Sequence, residues 1–243
     1  MVYIYAIIES PPAALDGLTG IDDEPLRVCA TDGVGIVFGD RAAGTVHPSA
    51  PNVWRHEQVA EALMKDHAVL PARFGTIMAG PDVVEETLSR NRDAFADGLR
   101  RVRGCVELGV RVMWQADAEM ADDAPAQGHP PIGAPSASGR AYLAARLEEE
   151  RRRRDVVRRA AELAGALDEL FRACADDGTF RVLPTAKCVM TGAYLVPRDR
   201  TAEFRKCVED AGAAYPELRL LCTGPWPPYH FVPPVTAPEV QRA

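Results

Sequence analysis

Cys105-Val106-Glu107-Leu108-Gly109-Val110-Arg111-Val112-Met113-Trp114 is the stretch on which the reading of this chain turns. Val106, Val110 and Val112 recur with the even spacing of a strand that buries one face. Beyond it, residues 117–138 are rich in Pro, Ala, Gly and Asp, lack periodicity, and read as a flexible loop. From Gly139 to Cys174 the residues Leu143, Leu147, Val157, Ala161, Ala164, Phe171 and Cys174 keep a ridge, which predicts one long helix. Arg181–Leu183 and Lys187–Val196 read as two strands around Pro184-Thr185. Thr201–Ala214 sets Phe204, Cys207, Val208 and Ala211 on one side of a helix, and Leu218–Cys222 closes with a strand.

That order is β-α-β-β-α-β, the ferredoxin-like split motif, in which an antiparallel sheet carries two helices on one face. Upstream, Val2–Ile8 is a short β-branched and aromatic strand, and Leu26–Ala30 and Val34–Phe38 flank Thr31-Asp32-Gly33. Asp-Gly between two apolar runs signals a hairpin, because the tight turn needs positive φ. Pro51–Asp66 is a helix with Val53, Val59, Leu63 and Met64 at helical spacing. Ala68–Ala72 is a short strand. Pro81–Arg103 is a helix with Val84, Leu88, Phe95 and Leu99 on one face and Pro81 in its first turn. The chain is therefore expected to be α+β with two domains. Residues 1–104 form a variant α+β sandwich, and residues 105–243 a modified ferredoxin-like domain with the loop 117–138 and a Pro/aromatic-rich extension, 223–243. Within that extension Thr223–Phe231 holds three prolines, which remove ladder donors. It reads as an extended tail whose rings pack back on the domain or onto another protein.

The composition agrees with a folded protein. The chain has 243 residues, 47% hydrophobic and 26% charged, enough for a real core. Its formal charge is −7, and neither part is basic: residues 1–104 carry 10 basic and 15 acidic side chains, the remainder 18 and 20. This argues against a nucleic-acid scaffold held by phosphate neutralisation. Val2–Ile8 is far short of a spanning helix and lacks the flanks of a signal peptide, so a cytoplasmic, non-membrane protein is expected. Cys29, Cys105, Cys174, Cys188, Cys207 and Cys222 form no CxxC pair and sit among apolar neighbours, as reduced, packed thiols do.

Local signals for chemistry are sparse. Gly33-Val34-Gly35 with Gly39 is a glycine cluster followed by a strand, whereas a dinucleotide loop needs a helix N-terminus. His47, His56, His67, His129 and His230 show no ligand spacing, so no metal or other cofactor is expected. Asp22-Asp23-Glu24 and Asp122-Asp123 lie in loop-like stretches, and no GxSxG elbow occurs. The residues do not describe an enzyme. More suggestive is Arg73-Phe74, a cation and an aromatic directly after a short strand. Such a pair either anchors an interface, or divides into an internal ion pair and a core ring. Trp226 and Tyr229 in the tail pose the same choice. In the long helix, Glu148-Glu149-Glu150-Arg151-Arg152-Arg153-Arg154-Asp155 sets acids and arginines at i,i+4. It reads as a solvated helix projecting past the sheet or as a docking surface for a charged partner.

Several segments taken together in order carry a resemblance. They are Tyr3-Ile4-Tyr5-Ala6-Ile7, Leu70-Pro71-Ala72-Arg73-Phe74-Gly75-Thr76, Gly104–Val112, Gly139-Arg140-Ala141-Tyr142-Leu143, Gly192-Ala193-Tyr194-Leu195-Val196 and Thr223-Gly224-Pro225-Trp226-Pro227-Pro228-Tyr229. Over about residues 2–232 the chain resembles the GvpL/GvpF family of gas vesicle proteins. It departs from the family pattern at Leu108, where an aromatic is common, and at Ala6, where Gly is. The resemblance implies two α+β domains and a non-enzymatic accessory or minor structural protein of gas vesicle formation. It implies as partners the hydrophobic shell protein and other accessory gas vesicle proteins, with Arg73, Phe74, Trp226 and Tyr229 as candidate contact residues. Two other classes stand beside it: a ferredoxin-like regulatory module binding a small molecule between its domains, and a catalyst on the same scaffold.

Overall fold

The computed structural model describes residues 1–9, 15, 17–42, 45–115, 139–183, 185 and 187–235. The expected loop 117–138, with Asp122-Asp123 and His129, lies outside the described residues. The elements run β1 (Val2–Glu9), β2 (Leu26–Thr31), β3 (Val34–Asp40), α1 (Ala50–Met64), β4 (Val69–Pro71), β5 (Ile77–Met78) and α2 (Pro81–Val102). They continue with β6 (Cys105–Trp114), α3 (Gly139–Ala173), β7 (Asp177–Val182), β8 (Cys188–Pro197), α4 (Thr201–Ala214) and β9 (Leu218–Trp226). Short 3-10 turns lie at Ile21–Asp23, Arg198–Arg200 and Tyr229–Phe231. The result is a mixed α/β fold with two antiparallel sheets. The chain falls into two units, Met1–Leu108 with Leu195–Asp199 and the residues from Gly224 onward, and Gly109–Tyr194 with Arg200–Thr223.

In the first sheet β1 is central. The strand order is β2-β3-β1-β4, and β5 also pairs with β1. Seven of the eight β1 positions are buried, so both faces are covered. A register shift between Ile4 and Ala6 marks a bulge, and Tyr3, Tyr5, Ala6 and Ile8 all enter one core cluster with Val59 and Leu63 of α1. The β2–β3 hairpin turns at Asp32 (φ 46°) and Gly33 (φ 79°), the two positive values that a type I′ turn requires. Helix α1 starts where the Ser49 hydroxyl accepts the Asn52 N–H (3.4 Å), with Pro51 in the first turn. It buries His56, Val59, Ala60 and Leu63. Val53, expected on that apolar line, is instead 43% exposed, because the line begins one turn later. Helix α2 buries Val84, Leu88, Phe95 and Leu99 as its spacing predicts.

The second sheet has the order β7-β8-β6-β9. Antiparallel pairing is visible where Trp114 N–H meets the Lys187 carbonyl (3.2 Å), Leu183 N–H the Val189 carbonyl (2.8 Å) and Gln115 N–H the Glu217 carbonyl (2.7 Å). Two boundaries differ from the sequence expectation. β9 does not stop at Cys222 but continues through Pro225 to Trp226. It is an edge strand, so a proline can sit in it with its missing N–H turned away from the ladder. β7 begins at Asp177, earlier than Arg181, and includes Gly178, where a Cβ would come within 2.7 Å of the Tyr194 ring. The core of this unit stacks Phe171, Tyr194 and Phe204 at centroid distances of 5.4–6.1 Å. The Tyr194 hydroxyl donates to Asp168 (3.0 Å), which Arg172 also grips (2.7 Å).

Only the second half of α3 enters that core, through Ala160, Ala164, Leu167 and Phe171. Leu143, Leu147 and Val157 of the ridge that predicts the helix are 65%, 53% and 41% exposed. All the side chains from Tyr142 to Arg159 are exposed, and Glu150 and Arg154 pair at 3.2 Å.

Candidate functional site

The side chains with most polar and aromatic character lie in the first unit, arranged around β1 and α1. Tyr3 and Tyr5 project from β1 against His56 of α1. His56 Nε2–H donates to the Ala72 carbonyl (2.9 Å), which leaves Nδ1 as the acceptor for the Tyr3 hydroxyl (3.0 Å). The Tyr3 oxygen in turn accepts the Gly75 N–H (3.1 Å). Tyr5 stacks on the imidazole (5.6 Å, 25°), donates to Glu24 (2.6 Å) and accepts the Ile21 N–H (2.7 Å). Burial lowers the pKa of His56, so the ring is held neutral, and burial pushes the Tyr3 phenol up to about 12.

This buried plug shapes the Arg73-Phe74 segment. Ala72 and Gly75, on either side of it, are both hydrogen-bonded to the plug. The Thr76 N–H bonds back to the Arg73 carbonyl (3.1 Å), with Gly75 at φ +84°, the position where a type II turn needs glycine. Phe74 turns inward and meets Tyr3 and His56 edge-on at 6.1 and 5.8 Å. Arg73 turns outward, is exposed, and its side chain makes no ion pair among the described residues.

The tail is anchored at three successive residues. Tyr229 donates its hydroxyl to Glu57 of α1 (2.7 Å). His230 offers its backbone N–H (2.9 Å) and Nδ1 (2.8 Å) to the two oxygens of Glu107, a carboxylate only 5% exposed. Phe231 is buried beneath the Arg101 guanidinium, 5.5 Å from the ring. Burial, with Glu61 and Glu107 nearby, raises the pKa of Glu57, against the lowering effect of the Tyr229 hydrogen bond. Trp226, just before this anchor, remains 38% exposed.

The four residues singled out in the sequence thus divide. Arg73 and Trp226 face solvent, whereas Phe74 and Tyr229 are half-buried and hold the loop and the tail in place. Sequence reasoning missed Trp54, the most exposed large aromatic of this unit at 63%, and its neighbour Val53. The signal was present: nine residues separate Trp54 from Leu63, two and a half helical turns, which puts the indole opposite the core line. A depression of about 400 Å³ also lies in this unit, lined by Glu9, Lys65, His67, Arg103 and Arg198 among others. Most of its charges are already engaged: Arg103 with Glu9, and Arg198 with the Met64 carbonyl (2.5 Å). Among the described residues no three His, Cys, Asp or Glu side chains converge as metal ligands, and no helix is long and apolar enough to cross a membrane.

A family model described as gas vesicle synthesis protein GvpL/GvpF matches residues 1–233. The chain belongs to the GvpL/GvpF family. Gas vesicle protein L of a Streptomyces species is 31% identical over 94% of this chain and 91% of its own length. Gas vesicle protein L2 of Halobacterium salinarum is 29% identical over 99% and 94%, and gas vesicle protein F of the same Streptomyces 28% over 95% and 98%. Among solved structures, the crystal structure of gas vesicle protein GvpF from Anabaena sp. PCC7120 superposes with a TM-score of 0.75 at 20% identity, covering 98% of both chains. That of GvpF from Microcystis aeruginosa gives 0.69 at 21% identity, covering 96% of this chain and 98% of its own. At that identity the likeness establishes a shared fold, with two antiparallel sheets in this family member as its frame.

Proposed function

We propose that this GvpL/GvpF family protein is a non-enzymatic accessory or minor structural protein of gas vesicle formation, acting at the vesicle in the cytoplasm. It binds the hydrophobic shell protein and other gas vesicle proteins during assembly. The observation that carries the reading is the exposed apolar surface of the first unit. Trp54 and Val53 on α1, and Trp226 before the tail anchor, present large side chains to solvent, and Arg73 adds a cation that has no ion pair among the described residues. Aromatic and arginine side chains of this kind dominate protein interfaces. A subunit that polymerises into a gas-tight wall exposes apolar strand edges before assembly, and such edges aggregate. An acidic binder of net charge −7 covers them and keeps the complex dispersed by like-charge repulsion.

The second unit is read as a modified ferredoxin-like domain. The order β6-α3-β7-β8-α4-β9, with β7-β8-β6-β9 across the sheet, supports this, being the arrangement that a split β-α-β-β-α-β chain gives. Co-expression with the shell protein tests the function. Shell protein recovered in the soluble fraction in proportion to this chain is expected, and shell aggregation unchanged by its presence would refute the reading.

A further inference from the structure

The first half of α3 stands outside the core of its own unit. The side chains from Tyr142 to Arg159 are exposed, and burial begins at Ala160. Along it Leu143, Leu147, Glu150, Arg154, Val157 and Ala161 follow one another at alternating steps of four and three, the spacing that keeps side chains on one seam. At about 100° per residue, Ala161 lies a quarter-turn round from Ala160. The seam is therefore separate from the Ala160–Ala164–Leu167–Phe171 line that packs the helix into its unit.

The order of charges along this seam selects its partner. Read forward it runs apolar, apolar, Glu, Arg, apolar, small; an antiparallel copy brings the complement of each position. Leu143 then faces Ala161, Leu147 faces Val157, and Glu150, paired at 3.2 Å with Arg154 of its own helix, also faces Arg154 of the other copy, in two symmetric layers. A parallel copy would oppose Glu150 to Glu150 and Arg154 to Arg154, which is disfavoured. Residues 148–155 hold four acids and four arginines, so the crossing region is neutral although the whole chain carries −7. Arg151 and Arg153, flanking the centre, each have a carboxylate four residues away on their own helix, Asp155 and Glu149. Overlap from 143 to 161 spans roughly 28 Å at 1.5 Å per residue. We propose that two copies of this chain associate through antiparallel pairing of the exposed half of α3. The pairing is isologous, so it closes as a two-fold dimer.

Sedimentation velocity on the full chain tests this over about 1–200 µM, the range in which a dimer of micromolar affinity assembles. The wild-type mass is expected to rise with concentration from 26.4 kDa to twice that value. Glu150→Arg alone and Arg154→Glu alone each place like charges in both central layers. Each variant should associate at least tenfold more weakly, its mass rising only at correspondingly higher concentration. An equimolar mixture of the two variants restores opposite charges in both layers and should dimerise again, and circular dichroism on each confirms an intact fold. A wild-type chain that remains at 26.4 kDa throughout overturns the proposal. So does self-association of either single variant at wild-type strength, or a mixture that fails to reassociate.

Discussion

His56 makes the fold of the first unit sensitive to acid in a way that can be worked out from its contacts. Its two nitrogens have fixed opposite roles, Nε2–H donating to Ala72 and Nδ1 accepting from Tyr3. A second proton would sit against the Tyr3 hydroxyl and place a charge among Tyr3, Tyr5 and Phe74. The folded pKa is therefore below the ordinary value of 6.5, by burial. As pH falls through 6.5 the unfolded chain takes up a proton that the folded chain refuses, so unfolding is favoured. The stability that His56 contributes is complete above 6.5 and is lost as pH falls toward the folded pKa. Between pH 7.5 and 5.5 the unfolded chain's titration at 6.5 sets a ceiling of about 1.4 kcal/mol on that loss. Urea unfolding of wild type and His56→Gln at both pH values isolates this from other titrating groups. The wild type should lose more than the variant, by up to about 1.4 kcal/mol, and parallel pH profiles would refute the argument.

Other contacts give sharper single-site outcomes. Tyr229→Phe removes the hydroxyl from Glu57 and should cost about 1–2 kcal/mol in denaturant unfolding, the range for a partly buried hydrogen bond to a carboxyl group. Gly192→Ala would bring a Cβ to 2.7 Å from the Tyr194 ring, in the core of the second unit. A loss of about 1–3 kcal/mol is expected from that overpacking, measured the same way. Burial first, and then the neighbouring Cys174 thiol, pushes the Cys207 thiol up to about 12. At pH 8 its alkylation, followed by peptide mass spectrometry, should run about a hundredfold slower than that of an ordinary thiol, the loss of thiolate being partly offset by higher intrinsic nucleophilicity.

Elements with their own local signal were legible in the sequence. Asp32-Gly33 carries the φ > 0 chemistry of its hairpin in two residues. Val84, Leu88, Phe95 and Leu99 repeat often enough to fix both the face and the length of α2. β5 was not legible, since Ile77-Met78 is too short for any period to show. Three prolines masked the end of β9 because the exclusion of proline from strands holds for central strands, and edge position is a property of the whole sheet. The ridge in α3 gives the length of the helix, but periodicity cannot say where the supporting sheet ends, so the start of burial at Ala160 is not legible. In the site, Phe74 and Tyr229 gained their roles from partners 18 and 172 residues away, His56 and Glu57, which no local pattern encodes. Trp54 went unremarked although its position opposite Leu63 was countable, because Val53 beside it fitted the core line.

Exposed aromatic residues of the first unit are proposed to hold the hydrophobic shell protein. A pull-down of tagged, purified chain against co-expressed shell protein tests it directly, comparing wild type with the Trp54→Ala, Trp226→Ala double variant. Trp54 is 63% exposed but Trp226 only 38%, so circular dichroism and denaturant unfolding first establish that the double variant is folded. Stoichiometric shell protein is expected with the wild type and at least a tenfold loss with the folded double variant. Equal recovery with both, or no shell protein with the folded wild type, would contradict it.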